Sequence, residues 1–154
     1  MAEGSVISEQ MRKLIGVESE PIVYEVEKGA IKKLAESIGD PNPLWQDEAY
    51  ARKGPYGGIV GSPTFVISLR NDAFMDKVKQ SATFKRIMVA GNDIEYFQPI
   101  RPGDVMSVTG KLADVREREG KGGGKMAFLV LELSYRNQKG ELAARIRNTL
   151  VGTT

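Results

Sequence analysis

The pattern of apolar and polar positions divides the chain into a helical first half and a β-rich second half. Residues 22–27, IVYEVE, alternate in the way that is typical of a short strand. In residues 28–39 the apolar side chains recur at helical spacing, and Gly39 is a typical residue for the end of a helix. A second short helix, PLWQDEAYARK, is predicted with Asn42 as its N-cap and Pro43 at its first position.

A third helix is predicted in the segment SPTFVISLRNDAFM. Ser62 fits the N-cap of this helix, and Pro63 fits its first position. Four apolar residues between positions 65 and 69 leave the first two turns almost without a polar side. A helix of this kind is expected to be buried along most of its length, so other elements must surround it.

The second half supplies those elements, because from residue 84 onward the sequence consists of strand-like runs. The runs are FKRIMVAG, NDIEYFQPI, DVMSVTGKLADVRER, KMAFLVLELSYRN and ELAARIRNTLV, and the turns between them are predicted at Gly91, RPGD, GKGGGK and QKGE. Short turns require antiparallel neighbours. The prediction is an α+β fold in which a curved antiparallel sheet surrounds one long buried helix, as a single domain over residues 1–154. An unpaired sheet edge favours a dimer or a larger assembly.

Composition narrows the chemistry that this fold can carry. The chain of 154 residues has no cysteine and no histidine, which excludes thiolate catalysis, disulfides and the commonest transition-metal ligands. We therefore expect no metal site. The net charge of +2 comes from interleaved acids and bases, so nucleic acid is not an expected partner. No run approaches the length of a membrane span, and the N-terminus lacks an apolar signal core, so a cytoplasmic location without membrane attachment is expected.

Three segments carry a resemblance to a known family. GDPNPLWQDEAYA, YGGIVGSPTF and EYFQPIRPGD resemble the MaoC-like acyl dehydratases, also called (R)-specific enoyl-CoA hydratases, and the likeness extends over residues 23–151. It implies a hotdog fold and the reversible hydration of enoyl thioesters, without a cofactor. Family members with working sites pair an Asp with a His five residues later in a GDxNPxH motif. This sequence keeps Asp40 and Asn42 but has Trp45 at the histidine position.

The missing histidine makes the chain more similar to the N-terminal type of dehydratase half-domain. That group includes the non-catalytic subunits of mycobacterial hydroxyacyl dehydratases, which pair with a subunit that carries the Asp and the His. The resemblance therefore implies a homo- or heterodimer with another hotdog subunit, and an acyl-CoA or acyl-carrier thioester as the ligand.

Hydration of an enoyl thioester needs a base, an acid and a donor that stabilises the enolate oxygen. The start of the third helix offers backbone N–H groups for that oxygen, from Gly61, Ser62 or Thr64, since Pro63 has none. The alternative is an ordinary capped core helix. Possible lining residues of an acyl tunnel are Val60, Phe65 and Met88, although ordinary core packing explains each of them.

Asp40 is the convincing acid–base candidate, and its alternative role is to cap a turn through its side chain. Asn42 is a candidate for substrate binding, but an N-cap needs no catalytic explanation. Trp45 is a candidate for substrate binding and is equally a packing residue, because an indole donates one hydrogen bond and accepts no proton from water.

Three functional hypotheses follow from these residues. In the first, the chain is one subunit of a hydro-lyase whose second subunit supplies the Asp–His pair. In the second, it is a non-catalytic homodimer that binds an acyl thioester or another apolar ligand. In the third, Asp40 catalyses hydration without a histidine.

Overall fold

The computed structural model describes residues 4–154. A short helix, a strand and four further helices precede four long strands. The elements are α1 (Glu9–Leu14), β1 (Ile22–Glu25), α2 (Lys28–Ser37), a 3₁₀ turn (Pro43–Trp45), α3 (Glu48–Lys53), α4 (Phe65–Ser68), α5 (Asp72–Ser81), β2 (Arg86–Tyr96), β3 (Val105–Glu119), β4 (Lys125–Arg136) and β5 (Leu142–Thr153). The α+β class is confirmed, and α1 was not predicted.

The strands form one curved antiparallel sheet in the order β1-β3-β4-β5-β2. On β4 the side chains of Leu129, Leu131 and Tyr135 are buried on the inner face, as their spacing predicted. Glu132 lies on the outer face, opposite Lys111 of β3 and Arg147 of β5. The helices and the N-terminal segment therefore cover one side of the sheet only.

The prediction of two strands divided by a turn at Gly91 was wrong. Strand β2 runs through this residue, and the pairing with β5 shifts register between Val89 and Gly91. Such a bulge bends a strand without reversing it. A glycine inside a strand pattern signals either a turn or a bulge, and here the continuous pairing with β5 makes it a bulge.

The long third helix is divided into α4 and α5, so its predicted start at Ser62 was wrong. α4 is a single turn with Thr64 at its N-cap, and Leu69 already has an extended backbone (φ −88°, ψ 91°). Asn71 then caps α5 by accepting a hydrogen bond from the Phe74 amide at 3.0 Å. The helices are thus short, and Ile67 of α4 is exposed instead of buried.

Asn71 accounts for the break between α4 and α5. Its side chain is buried, and its Nδ2 donates to the backbone carbonyls of Val108 (2.8 Å) and Glu20 (3.0 Å). Because a buried amide needs such partners, these bonds fix Asn71 against β3 and the helix restarts there.

The second predicted helix is also divided. Asn42 is its N-cap, as predicted, because its Oδ1 accepts a hydrogen bond from the Leu44 amide at 3.0 Å. Only the 3₁₀ turn follows. Asp47 then caps α3 by accepting from the Tyr50 amide at 3.0 Å, so a second capping residue starts a second helix.

Two apolar clusters fill the space between the sheet and the helices. The site core joins α2, α4 and the 3₁₀ turn to one half of the sheet and includes Trp45, Val60, Val66, Ile100 and Ile146. The terminal core joins α1 and α5 to the other half and includes Met11, Phe74, Leu112, Leu129 and Leu131. Leu133 of β4 packs against both clusters.

Strand β2 is an edge strand, and its residues are exposed except for the half-buried Ile94. Three consecutive apolar residues on it have large exposed fractions: Ile87 (42%), Met88 (60%) and Val89 (63%). An apolar edge of this kind is available for pairing with another strand. Among the described residues there is no helix long and apolar enough to cross a membrane.

Candidate functional site

A cavity of about 420 Å³ opens between the 3₁₀ turn, the loop before α4 and the end of β2. Its walls carry more apolar than polar side chains. The lining residues are Trp45, Tyr56, Val60, Gly61, Ser62, Pro63, Val66, Tyr96, Phe97, Gln98, Pro99 and Ile100. Of the predicted site residues, Trp45, Gly61 and Ser62 therefore share this cavity, together with Val60, whereas Asp40, Asn42 and Thr64 do not line it.

Gly61 holds two walls of the cavity together. Its amide donates to the carbonyl of Ile100 at 2.8 Å, which ties the loop before α4 to the segment after β2. A Cβ atom at this position would lie 3.0 Å from Cδ1 of Phe65. Glycine therefore lets the loop pass close to the aromatic ring of α4.

The helix start offers fewer donors than its sequence indicated. The Gly61 amide is engaged by Ile100, and Pro63 has no N–H. The amides of Ser62 and Thr64 remain as candidates for a ligand oxygen. The hydroxyl groups of these two residues lie 3.2 Å apart, within hydrogen-bond distance.

Asp40 lies directly after the left-handed Gly39 (φ 69°) that ends α2. Its Oδ1 accepts a hydrogen bond from the Asn42 amide at 3.0 Å, and its own amide donates to the Ala35 carbonyl at 2.9 Å. The turn-capping role of the carboxylate is therefore present in the structure. The half-buried carboxylate stands beside the loop that carries Trp45 and outside the cavity wall.

Trp45 is the one buried residue of the segment 39–45, with 9% of its surface exposed. Its indole Nε1 has no hydrogen-bond partner among the described residues. The ring packs in the site core and also forms part of the cavity wall. Packing and a place in the candidate site are thus combined in one residue.

Two polar residues of the cavity, Tyr96 and Gln98, were not identified individually from the sequence. The Tyr96 hydroxyl donates to the Pro63 carbonyl, and partial burial raises the pKa of this phenol. The Gln98 amide donates to Glu141 Oε2 at 2.8 Å, and this bond lowers the pKa of that carboxyl. Both lie within the segment EYFQPIRPGD, whose resemblance to the family was the sequence signal that could have identified them.

Within residues 4–154 there is no cluster of three carboxylate, imidazole or thiol side chains that would hold an ion.

Two of the possible tunnel residues do not line the cavity. Phe65 is buried in the site core, and Met88 is exposed on β2.

Comparison with known proteins places this geometry in a family. Residues 13–146 match the model of the "FAS1-like, dehydratase domain region" family. The chain belongs to this family. The UPF0336 protein of Thermobifida fusca (strain YX) is 28% identical over 124 residues, which cover 79% of this chain and 78% of the relative.

Solved structures confirm the hotdog fold and the resemblance to MaoC-like dehydratases. The MaoC-like dehydratase from Rhodospirillum rubrum aligns with a TM-score of 0.69 and 25% identity, covering 90% of this chain and 92% of the other. A chain of the ChsH1-ChsH2 complex from Mycobacterium tuberculosis aligns with a TM-score of 0.79, covering 94% of both chains. At 20% identity, the second likeness concerns the fold. This member of the dehydratase-region family thus has the expected architecture.

Proposed function

We propose that this chain is a subunit of an acyl-thioester hydratase or dehydratase, and that a second hotdog subunit supplies the Asp–His pair. The reaction is the reversible hydration of a trans-2-enoyl thioester, carried by CoA or by a carrier protein, to the 3-hydroxyacyl thioester. The observation that carries the proposal is the substitution at position 45. The loop framework around Asp40 and Asn42 is present, and a buried indole occupies the place of the catalytic base.

Acid–base chemistry at this site is incomplete within the chain. Asp40 already accepts a backbone hydrogen bond, and the indole of Trp45 cannot take up a proton. The chain has no histidine that another segment could bring to the site. Hydration needs both a base and an acid, and this chain offers one carboxylate at the site. A second subunit is therefore required for rapid turnover.

The exposed edge of β2 supports the partnership. Ile87, Met88 and Val89 present apolar side chains on an edge whose backbone groups are open to pairing. The ChsH1-ChsH2 complex, which contains a chain of similar fold, is an assembly of two different subunits. A homo- or heterodimer through this edge covers the apolar side chains in either case.

A non-catalytic binding protein is the second candidate, because the same observations fit a homodimer that binds an acyl-CoA. The cavity of about 420 Å³ has apolar walls, and its polar groups are mostly engaged with the protein. Mixed with a histidine-bearing subunit, a protein of this kind gives no more turnover than that subunit alone.

The test measures crotonyl-CoA hydration by the purified chain, by a histidine-bearing hotdog subunit, and by the two co-expressed. We expect hydration by the mixture to exceed that of the isolated chain by about 100-fold or more, the range for one acid–base group, and to exceed that of the histidine-bearing subunit alone as well. Asp40→Asn is expected to change the rate of the mixture by less than about threefold, in contrast to such a group. Asp76→Asn, an exposed position on α5, is the control.

The outcomes separate the hypotheses. Binding of crotonyl-CoA without turnover in any mixture favours the binding protein. Rapid turnover by the isolated chain that is lost in Asp40→Asn shows a self-sufficient enzyme and contradicts the proposal.

A further inference from the structure

The free edge strand β2 carries opposite charges at its two ends. Lys85 and Arg86 stand at its start, Asp93 and Glu95 stand near its end, and the apolar residues 87–90 lie between them. A second copy that pairs with β2 in the parallel direction meets like charges at both ends. A copy that pairs in the antiparallel direction meets opposite charges, which favours this direction.

These charged side chains are accessible to another molecule. All four are exposed. Within the described part of the chain, no ion pair engages Lys85, Arg86 or Asp93, and Glu95 lies 3.7 Å from Arg145. Because β5 occupies one edge of β2, a strand with complementary charges can pair along the other edge.

The pairing with β5 shows which side chains of β2 share a face. Val89 and Ile94 lie opposite the buried residues Leu150 and Ile146 of β5, so they belong to the inner face. The side chains that alternate with them belong to the outer face and are Arg86, Met88, Asp93 and Glu95. Residues that lie opposite each other in an antiparallel pair share a face, which restricts the registers that two copies can adopt.

One antiparallel register matches the faces and the charges along nearly the whole strand. In it Arg86 lies opposite Glu95 of the partner subunit, and Met88 lies opposite Asp93 of the partner subunit. Pairing Arg86 with the other acidic residue of the partner shortens the paired stretch to residues 86–93. The opposite shift leaves Arg86 without a partner, so the first register is the one that the strand fits.

We propose that a second copy of this chain pairs with β2 in this register and adds Lys85 of the partner subunit to the candidate site. Lys85 continues the strand pairing, since its amide donates to the Thr153 carbonyl at 3.0 Å. In the same register, Lys85 of the partner subunit lies opposite Tyr96, on the face from which Tyr96 lines the cavity.

The second copy changes the chemistry of the cavity. Among the described residues, those that line the cavity include no charged side chain. The ammonium group of Lys85 from the partner subunit therefore brings a cation to its edge. The inference rests on the proposed function for the role of this cavity, and it makes a second copy the partner of the isolated chain. In the proposed heteromer, the histidine-bearing subunit replaces one copy at the same edge.

The first experiment determines the dissociation constant of the dimer by analytical ultracentrifugation of the purified chain. We expect the wild type to reach twice the mass of one chain. Arg86→Glu places two glutamates opposite each other at both ends of the interface, so it is expected to raise the dissociation constant by about 10-fold or more. Lys77→Glu makes the same change of charge at an exposed position on α5 and is the control.

The second experiment tests the register by disulfide formation, for which the absence of native cysteine is an advantage. Met88→Cys combined with Asp93→Cys places thiols opposite each other, and mild oxidation is expected to link the two subunits. Met88→Cys combined with Glu95→Cys is the matched control. It moves one thiol by two residues, about 7 Å along the strand, and is expected to remain unlinked. Both variants are first shown to be folded dimers by circular dichroism and mass.

A third pair of cysteines tests the place of the partner's residue at the site. Lys85→Cys combined with Tyr96→Cys is expected to give a covalent dimer under the same oxidation, because the register continues to these residues. Links in this variant and in Met88→Cys with Asp93→Cys, without links in the control, support the proposal.

A wild type that stays monomeric at every concentration overturns the inference, and so does an Arg86→Glu variant that dimerises as well as the wild type. Links that form in the control pair in preference to the opposite pairs contradict the register. Failure of the proposed function appears elsewhere, when co-expression with a histidine-bearing subunit gives no more turnover than that subunit alone. The two failures are therefore read from different experiments.

Discussion

The two apolar clusters of the molecule differ in how completely they are packed. In the terminal core, Met11, Leu112 and Ala127 are fully buried. The site core contains comparable buried residues but borders a cavity of about 420 Å³ and includes Trp45, whose N–H has no partner within residues 4–154. The terminal core also borders a cavity, of about 210 Å³, which is lined in part by Leu131, Met75 and Leu133. The two halves of the sheet thus differ in the size of the adjoining cavity, which is about twice as large beside the site core.

The difference indicates that one half of the sheet mainly provides stability and the other half borders the candidate site. Close packing contributes most where voids are absent, so the terminal core is expected to provide much of the stability. The site core is expected to contribute less to stability, because it borders a cavity and contains a buried polar group. Leu133 packs against both clusters, which makes independent unfolding of either one unfavourable.

The largest expected effect concerns Leu129 in the terminal core. This side chain is 1% exposed, so Leu129→Ala is expected to lower the free energy of unfolding by about 2–5 kcal/mol through lost burial and a new cavity. Urea unfolding measures the change, with circular dichroism and Trp45 emission as two probes. Because Trp45 lies in the site core, coincident transitions show that both clusters unfold together.

Val130→Ala is the control for this prediction, since Val130 follows on the same strand and is only half-buried on the outer face. A loss below about 1 kcal/mol in Leu129→Ala falls under the usual range for such a truncation and contradicts the close packing of the terminal core. Separate transitions for the two probes contradict the link through Leu133.

Gly110 of β3 tests the same cluster by overpacking. A Cβ atom at this position would lie 2.2 Å from Cδ1 of Phe74, so the α5 ring has to move. Gly110→Ala is expected to cost about 1–3 kcal/mol of unfolding free energy, measured in urea. Gly91→Ala is the matched control, because a Cβ there meets no heavy atom of the described residues within 4 Å.

Adding Phe74→Leu to Gly110→Ala is expected to restore part of the loss, since the smaller side chain leaves room for the new methyl group. Equal stability of Gly110→Ala and wild type shows that the ring moves freely. The terminal core is then no more tightly packed than the site core.

The smallest expected effect lies outside both clusters, at Glu132 on the outer face. Its partial burial acts to raise the pKa, but hydrogen bonds from Arg147 and Lys111 outweigh this and hold the pKa of the carboxyl below 4.5. Since the folded-state pKa is lowered, the stabilisation is present above the unfolded-state pKa. It disappears as the pH falls through the folded-state value.

Glu132→Gln is therefore expected to lower stability by about 0.2–1 kcal/mol at neutral pH, as for a solvent-screened ion pair. The difference from wild type should shrink as the pH falls below the reference pKa of a glutamate, about 4.3. Urea midpoints across this pH range measure it. Glu18→Gln, at an exposed glutamate, is the control. A difference that grows on acidification contradicts the sign.

The strands of the second half were predictable because their side chains alternate. On β4 the apolar residues fall on one face and Glu132 on the other. In the structure the apolar face is buried, and Glu132 lies opposite Lys111 of β3. The turns after β3 and β4 also carry clear glycine signals. Gly91 was misjudged because a bulge and a turn share the same residue, and only the pairing with β5 distinguishes them.

The division of the third helix was not predictable from periodicity. Asn71 interrupts an apolar pattern that continues on both sides, and its reason for doing so is a set of hydrogen bonds to Glu20 and Val108. Both partners are far away in sequence. Local spacing contains no information on such contacts.

For the candidate site, the sequence indicated the segment but not its arrangement. The resemblance singled out Trp45, and the expected helix start singled out Gly61 and Ser62; these three share the cavity wall, whereas Asp40, Asn42 and Thr64 do not line it. Two features follow only from the three-dimensional packing: the Gly61 amide is engaged by Ile100, and the Trp45 N–H has no acceptor in the described part of the chain. The roles of the site residues stay predictions until ligands are measured.

The order of the strands in the sheet has a consequence for synthesis on the ribosome. β2 pairs with β5, so the strand that is made first among the four long ones waits for the strand that is made last. During that interval the apolar stretch Ile87, Met88, Val89 has no intramolecular partner. Such delayed long-range pairing slows folding and exposes nascent chains to aggregation.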